Sequence, residues 1–124
     1  MHLPVCLPLA ASARPWGRGV VTLLGAAAHP MLPYLAQGAA MAIEDAAVLA
    51  RRLAEARDDP GGALRRYEWQ RRGRSARAQR AAHRTGRVYH LGGPASLLRR
   101  VALAAMGGER LLSRYDWLYG WTPA

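Results

Sequence analysis

The sequence predicts a mainly α-helical chain with three or more helices and one short β-strand near residues 20–24. Three observations support this fold class. Alanine, which favours helix, is abundant. From Gly38 onward, apolar and polar residues follow a helical period. Glycine and proline form short groups that separate the helical stretches. With 124 residues, the chain has the length of one domain.

The predicted strand is a short β-prone run that ends at Gly25. The run consists of Val20, Val21, Leu23 and Leu24. The backbone between Ala27 and Gln37 should be irregular. Pro30 and Pro33 each fix φ, lack an N–H group and restrict the preceding residue.

A first helix is predicted over residues 38–57. Its apolar face should consist of Ile43, Ala46, Ala47, Ala50, Leu53 and Ala54, with Glu44, Arg51, Arg52 and Glu55 largely off that face. A loop that leads into a helix presents free backbone N–H groups at the positive end of the helix dipole. Such a helix start suits an anionic or electron-rich ligand.

Two further helices are predicted, over residues 60–90 and 95–106. Asp59 is a suitable N-cap, and the proline that follows it is favoured at the first helical position. Gly73 is a weak point where the second helix could bend. A Gly-Gly-Pro sequence at residues 92–94 separates the two helices.

The first half of the chain contains an ordered string of residues, comprising Leu23, Leu24, Gly25, Ala27, Ala28, His29, Pro30, Pro33, Gln37, Gly38, Glu44, Asp45 and Ala46. This string resembles the second flavin-contacting motif of the FAD-dependent aromatic monooxygenases, the single-component flavoprotein hydroxylases that include salicylate-hydroxylase-like members. Similarity continues at residues 65–67 and 89–90, and in the tail from Gly107 to Trp121.

The resemblance implies a C-terminal piece of an α/β FAD-binding (glutathione-reductase-like) fold. Residues 1–124 would form a single partial unit. Within it, residues 15–57 would supply a strand, the flavin-contacting loop and a helix, and residues 58–124 a C-terminal helical region with an aromatic tail. The implied cofactor is FAD, with NAD(P)H as co-substrate and a small aromatic molecule as the substrate of the complete enzyme.

The residues that the resemblance places at the ribityl chain and isoalloxazine ring are Gly25, Ala26, Pro33, Leu35, Ala36, Gln37, Gly38, Ala39 and Ala40. The family has an aspartate at the position of Ala26, and this carboxylate accepts a hydrogen bond from the ribityl chain. No catalytic residue is predicted, because the cofactor itself carries the oxygen chemistry. Glu44 and Asp45 resemble an acid–base pair, but they lie in the first turns of a helix, which favours a structural role.

The family's Gly-x-Gly-x-x-Gly turn, which holds the FAD pyrophosphate, has no counterpart in this sequence. We therefore expect a fragment of an aromatic-ring hydroxylase that is inactive alone and needs the N-terminal FAD and substrate half or a partner chain. A first alternative is one half of a split FAD monooxygenase that a partner completes. A second is a small Arg-rich helical protein that binds nucleic acid or acidic partners.

The basic residues are all arginine, and they give a net charge of +10. Nine of the 18 arginines lie between residues 65 and 87. The use of arginine without lysine, beside abundant alanine and glycine, is typical of a GC-rich coding sequence. Because this bias can account for the positive charge, the charge is weaker evidence for nucleic-acid binding. We expect these arginines to form a solvated or domain-facing helix surface, and nucleic-acid binding to be unlikely.

The remaining features exclude other classes of protein. The histidines His2, His29, His83 and His90 lack metal-ligand spacing and are expected to be structural or on the surface. The single Cys6 excludes an intramolecular disulfide. Residues 19–43 carry no formal charge, but prolines and glycines interrupt them, so we expect no membrane span. We expect a cytoplasmic location. Without a partner, the aromatic tail should be an exposed apolar patch.

Overall fold

The computed structural model of this chain describes residues 15–122 and is mainly helical, as the sequence predicts. The regular elements in this range are β1 (Gly17–Arg18), β2 (Val21–Thr22), α1 (Gly38–Glu55), α2 (Pro60–Tyr89), α3 (Gly93–Met106), α4 (Gly108–Ser113) and α5 (Asp116–Tyr119). Two 3-10 turns, Gly25–Ala27 and Pro33–Leu35, interrupt the loop before α1. In this part of the chain, no helix combines the length and the apolar composition that a membrane crossing requires.

The predicted strand is confirmed but shorter than expected, and a second strand pairs with it. β2 runs antiparallel to β1, with Gly17 opposite Thr22 and Arg18 opposite Val21. β1 was not predicted, because its two residues, Gly17 and Arg18, contain no β-prone run. The hairpin forms because Gly19 adopts a positive φ of 58° between the strands.

The three longer predicted helices are confirmed to within two residues at each end. The predicted cap of α2 is also present, since Asp59 Oδ1 accepts a hydrogen bond of 2.8 Å from the N–H of Gly62. The helix continues through Gly73 without interruption, so the expected weak point does not end it. The short helices α4 and α5 were not predicted.

The core lies mainly between α1, α2 and the loop before α1. One cluster of buried residues comprises Trp16, Ala28, Val48 and Tyr67. A second cluster comprises Met41, Ala78 and Leu118. Each cluster combines two large side chains, Trp16 and Tyr67 in the first and Met41 and Leu118 in the second, with small alanines.

The apolar face predicted for α1 is a single face of the helix, but it lies on the surface, where Ile43 is 70% exposed and Leu53 is 38% exposed. The helix instead turns Met41, Asp45 and Val48 inward. At 100° per residue this buried face lies opposite the predicted one. The reason is electrostatic: Asp45 pairs with cationic side chains inside the protein, which apolar periodicity does not reveal.

The aromatic tail is also less exposed than predicted. Leu118 is buried, and Trp117 and Trp121 are half-buried because they pack on arginines of α2. The guanidinium carbon of Arg77 lies 3.9 Å from the ring centre of Trp117, a cation–π geometry. Leu112 and Tyr119 do remain exposed. The tail therefore covers this chain's own helix with only part of its apolar surface free.

Candidate functional site

The turn after β2 is held directly against α1. Gly25 has a φ of 60°, a conformation that L side chains rarely adopt, and its backbone is buried. A Cβ atom added there would lie 2.9 Å from the Cβ of Ala42 on α1. The Gly25 N–H donates a hydrogen bond of 3.0 Å to Asp45 Oδ2. These contacts fix the Gly25–Ala27 turn beside the first half of α1.

Asp45 is the centre of this arrangement. Its fully buried carboxylate accepts a hydrogen bond of 2.6 Å from His29 Nε2 and one of 2.7 Å from Arg71 Nε, in addition to the bond from the Gly25 N–H. Burial of the carboxyl opposes its ionisation. The hydrogen bonds from His29 and Arg71 nevertheless outweigh burial and hold the pKa of Asp45 below its ordinary value. Asp45 is therefore an ionised structural anchor.

Glu44 extends the network toward the tail. Its Oε2 atom accepts hydrogen bonds of 2.6 Å from Arg71 and 2.7 Å from Arg74. Its Oε1 atom accepts a second hydrogen bond from Arg74, of 2.6 Å. Arg74 also donates to the carbonyl oxygens of Trp117 and Leu118, at 2.7 Å and 2.9 Å. Glu44 and Asp45 therefore have a structural role, as ion-pair partners of α2. Arg71 and Arg74 lie inside the protein, not on the solvated surface expected for the arginines of this helix.

The loop between the turn and α1 is anchored on α2 at two points. Gln79 Nε2 donates a hydrogen bond of 2.8 Å to the carbonyl oxygen of Pro30. Tyr34 lies so close to Gly86 that an added Cβ atom would be 2.5 Å from its ring. Ala36 then adopts the left-handed conformation, with a φ of 50°, at the end of the second 3-10 turn. The anchors leave the loop little freedom as it leads into α1.

The start of α1 is open. No side chain caps it, and its first turn contains no acidic residue. The first N–H group with a helical acceptor is that of Met41, which donates to the carbonyl of Gln37. Within residues 15–122, no acceptor is found for the N–H groups of residues 38–40. A Cβ atom at Gly38 would meet no atom within 4 Å. An uncapped 18-residue helix with free N–H groups can bind an electron-rich edge.

The sequence-predicted contact residues line this open segment to different degrees. Ala26, Pro33, Ala36 and Ala39 are exposed; Leu35, Gly38 and Ala40 are half-buried; Gly25 and Gln37 are buried. The structure brings the Gly25 turn against α1, which is the arrangement that contacts from both segments would need. Contact with a cofactor stays a prediction for all nine residues.

Residues that position the site were only partly identified from sequence. His29 and Asp45 were part of the matching string, but their pairing was not predicted. Arg71, Gln79 and Tyr34 were missed because they act across separations of 26, 49 and more than 50 residues. The structural assignment of His29 is supported by its burial and its bond to Asp45. Among the described residues, no group of three side chains could hold a metal ion; His2 and Cys6 lie outside that range.

Comparison with known proteins identifies a family and relatives to which the amino-acid sequence is similar. Residues 9–84 match the protein family described as FAD binding domain. The chain is 49% identical over 109 residues to the 3-amino-4-hydroxybenzoate 2-monooxygenase of Streptomyces platensis, covering 88% of this chain and 27% of that protein.

Two other relatives show the same pattern of coverage. The 3-hydroxybenzoate 6-hydroxylase of Klebsiella oxytoca is 40% identical over 106 residues, which cover 86% of this chain and 27% of that enzyme. The salicylate hydroxylase of Pseudomonas putida is 39% identical over 104 residues, covering 82% of this chain and 23% of that enzyme. The chain thus spans about a quarter of the length of these relatives.

Proposed function

This chain belongs to the FAD binding domain family and is related to flavin-dependent aromatic hydroxylases, and we propose that it supplies the flavin-contacting loop and helix start of such an enzyme. In this proposal the Gly25–Ala27 turn lies at the ribityl chain. Residues 33–40 lie at the isoalloxazine ring. Bound FAD would supply the reaction with oxygen, and NAD(P)H would be the reductant.

The observation that carries the proposal is the open start of α1 beside the Gly25 turn. The N–H groups of residues 38–40 lack acceptors within the described part of the chain and can stabilise negative charge at the edge of an electron-rich ring. The Asp45 network holds both segments in place without occupying those N–H groups. The chain's own residues thus fit the ring end of the cofactor.

The fit is poorer at the ribityl chain. Ala26 is exposed beside the turn but has no acceptor atom, where the family's aspartate would take a hydrogen bond. One hydrogen bond contributes about 0.5–1.5 kcal/mol. Its loss weakens binding but does not by itself abolish it. Pyrophosphate anchoring has a larger effect, and we expect it to come from a dinucleotide-binding half outside these residues.

Exposed apolar surface supports the need for that further part. The outward face of α1 carries Ile43 and Leu53, and the hairpin exposes Val20 and Val21 at 72% and 67%. Exposed apolar surface can serve as the docking surface for another protein segment. We propose that residues 15–57 join an FAD-binding domain through this surface, whether the other half is in the same protein or in a partner chain. The relatives' names suggest a small hydroxylated aromatic acid as the substrate of the complete enzyme.

A titration of FAD fluorescence tests the proposal. The isolated chain should bind FAD very weakly and should not oxidise NADH or NADPH. Addition of the N-terminal part of the Streptomyces platensis relative, fused or in trans, should raise FAD affinity. In that context Ala26→Asp should tighten binding about tenfold.

A substitution outside the flavin-contacting segment provides the control. Ala95→Asp adds the same charge at an exposed position of α3 and should not reproduce the gain. Equal effects of the two aspartates would indicate a general charge effect and contradict the ribityl assignment. Micromolar FAD binding by the isolated chain would contradict the requirement for another half.

A further inference from the structure

We propose that the groove between α2 and α3 binds a long-chain fatty acid, with its carboxylate on the arginines of α2 and its hydrocarbon chain on an apolar floor. The groove has a volume of about 560 Å³, within the range of about 300–1,000 Å³ typical of small-ligand sites. It lies outside the flavin-contacting segment, and the proposal does not depend on the FAD assignment.

The groove has a positive rim without a compensating charge. Five arginines line it and no acidic residue does; they are Arg77, Arg80, Arg84, Arg99 and Arg114. Among residues 15–122, none of the five forms an ion pair. A cavity with cationic walls and low-dielectric surfaces attracts an anionic ligand strongly.

Of the three rim arginines on α2, Arg80 and Arg84 are available for a carboxylate. Arg99 donates to the carbonyl oxygens of Val88 and Tyr89, and Arg77 stacks on Trp117. Arg80 and Arg84 are exposed and one turn apart on α2, so their side chains emerge on the same side of the helix. No hydrogen bond within the described range involves either guanidinium, and guanidinium groups bind carboxylates with two parallel hydrogen bonds.

The rest of the lining is apolar and elongated. Val88, Leu103, Met106, Leu111 and Trp117 contribute to it. From Arg77 to Tyr89 the groove follows α2 for about 18 Å, at 1.5 Å per residue. A single aromatic acid would fill only part of this length. A nucleic-acid strand would leave the apolar floor without a function, because its phosphates need a charged track. A linear amphiphile with one negative end matches both features.

Calorimetric titration of the 124-residue chain with laurate, myristate and palmitate, each below its micelle concentration, tests the proposal. We expect saturable binding of one molecule, tightening with chain length by up to about fourfold per methylene. Dodecanol has the same chain as laurate without the charge and should bind at least tenfold more weakly. Absence of saturable binding, or equal binding of dodecanol and laurate, would overturn the proposal.

Matched variants locate the site. Arg80→Ala with Arg84→Ala should weaken laurate binding by tenfold or more. Arg65→Ala with Arg87→Ala removes the same charge from exposed positions of α2 outside the groove, and should change binding less than twofold. Leu103→Glu, on the exposed floor, should weaken binding as much as the first pair. Equal effects of the two arginine pairs, or displacement of laurate by a short oligonucleotide at physiological salt, would show that the arginines act as a general polyanion surface instead.

Discussion

Replacement of Asp45 by asparagine should be the most destabilising isosteric change in the described core. The carboxylate is fully buried and accepts hydrogen bonds from Arg71, His29 and the Gly25 N–H. Asparagine keeps one oxygen acceptor but turns an NH₂ group toward these donors. It also leaves the buried Arg71 with Glu44 as its remaining carboxylate, which Arg74 shares. Loss of one partner of a buried ion pair costs about 3–5 kcal/mol. This is a large fraction of a typical stability of about 5–15 kcal/mol.

Urea unfolding followed by circular dichroism measures the effect. Asp45→Asn should lower the unfolding midpoint sharply, with a loss of about 3 kcal/mol or more in the free energy of unfolding. Glu55→Gln is the control, because Glu55 pairs with Arg51 and Arg52 at the surface. We expect no measurable change from that substitution. A loss below about 1 kcal/mol for Asp45→Asn would refute the reasoning that the Asp45 network holds α1, α2 and the turn together.

The pH dependence of stability gives an independent test of the same carboxylate. Because the folded-state pKa of Asp45 lies below its ordinary value, the unfolded chain binds this proton more readily. Its contribution is therefore fully present above the ordinary aspartate pKa of about 3.9 and is lost as pH falls below it. Stability of the wild-type chain should fall in that acidic range, and the fall should be smaller in Asp45→Asn. Equal acid dependence of the two proteins would show that other carboxylates control it.

Two other predictions concern the turn and the tyrosine beside this network. Gly25→Ala should lower the free energy of unfolding in urea by about 2–3 kcal/mol, because an alanine there combines a left-handed backbone with a clash against Ala42. Gly38→Ala, in open space, is the control and should leave that free energy unchanged or raise it by up to about 1 kcal/mol. Equal effects of the two substitutions would contradict the close approach of Gly25 to α1. Burial and the Asp45 charge raise the pKa of Tyr67, so its contribution is present below the ordinary tyrosine pKa of about 10 and declines as pH rises above it. Tyr67→Phe should flatten that alkaline decline, and an unchanged decline would exclude Tyr67 as its source.

Local signals in the sequence predicted the three longer helices and the strand near residues 20–24. Helix boundaries followed from the Asp59–Pro60 cap, the glycine and proline breaks and the helical period, all of which act within a few residues. The same local string, from Leu23 to Ala46, indicated the flavoprotein family, which the match over residues 9–84 shows. Such signals need no knowledge of what the chain packs against.

Which face of α1 is buried depends on tertiary contacts. Apolar periodicity put Ile43 and Leu53 on one face, but it did not show that this face is exposed, because Asp45 on the opposite face pairs with Arg71, 26 residues away. Buried ion pairs are tolerated only with complete partners, so their positions depend on contacts that no local pattern records. For the same reason, only the structure showed that Arg71 and Arg74 of α2 are internal, whereas Arg77, Arg80 and Arg84 line an apolar groove and form no ion pair with any described residue.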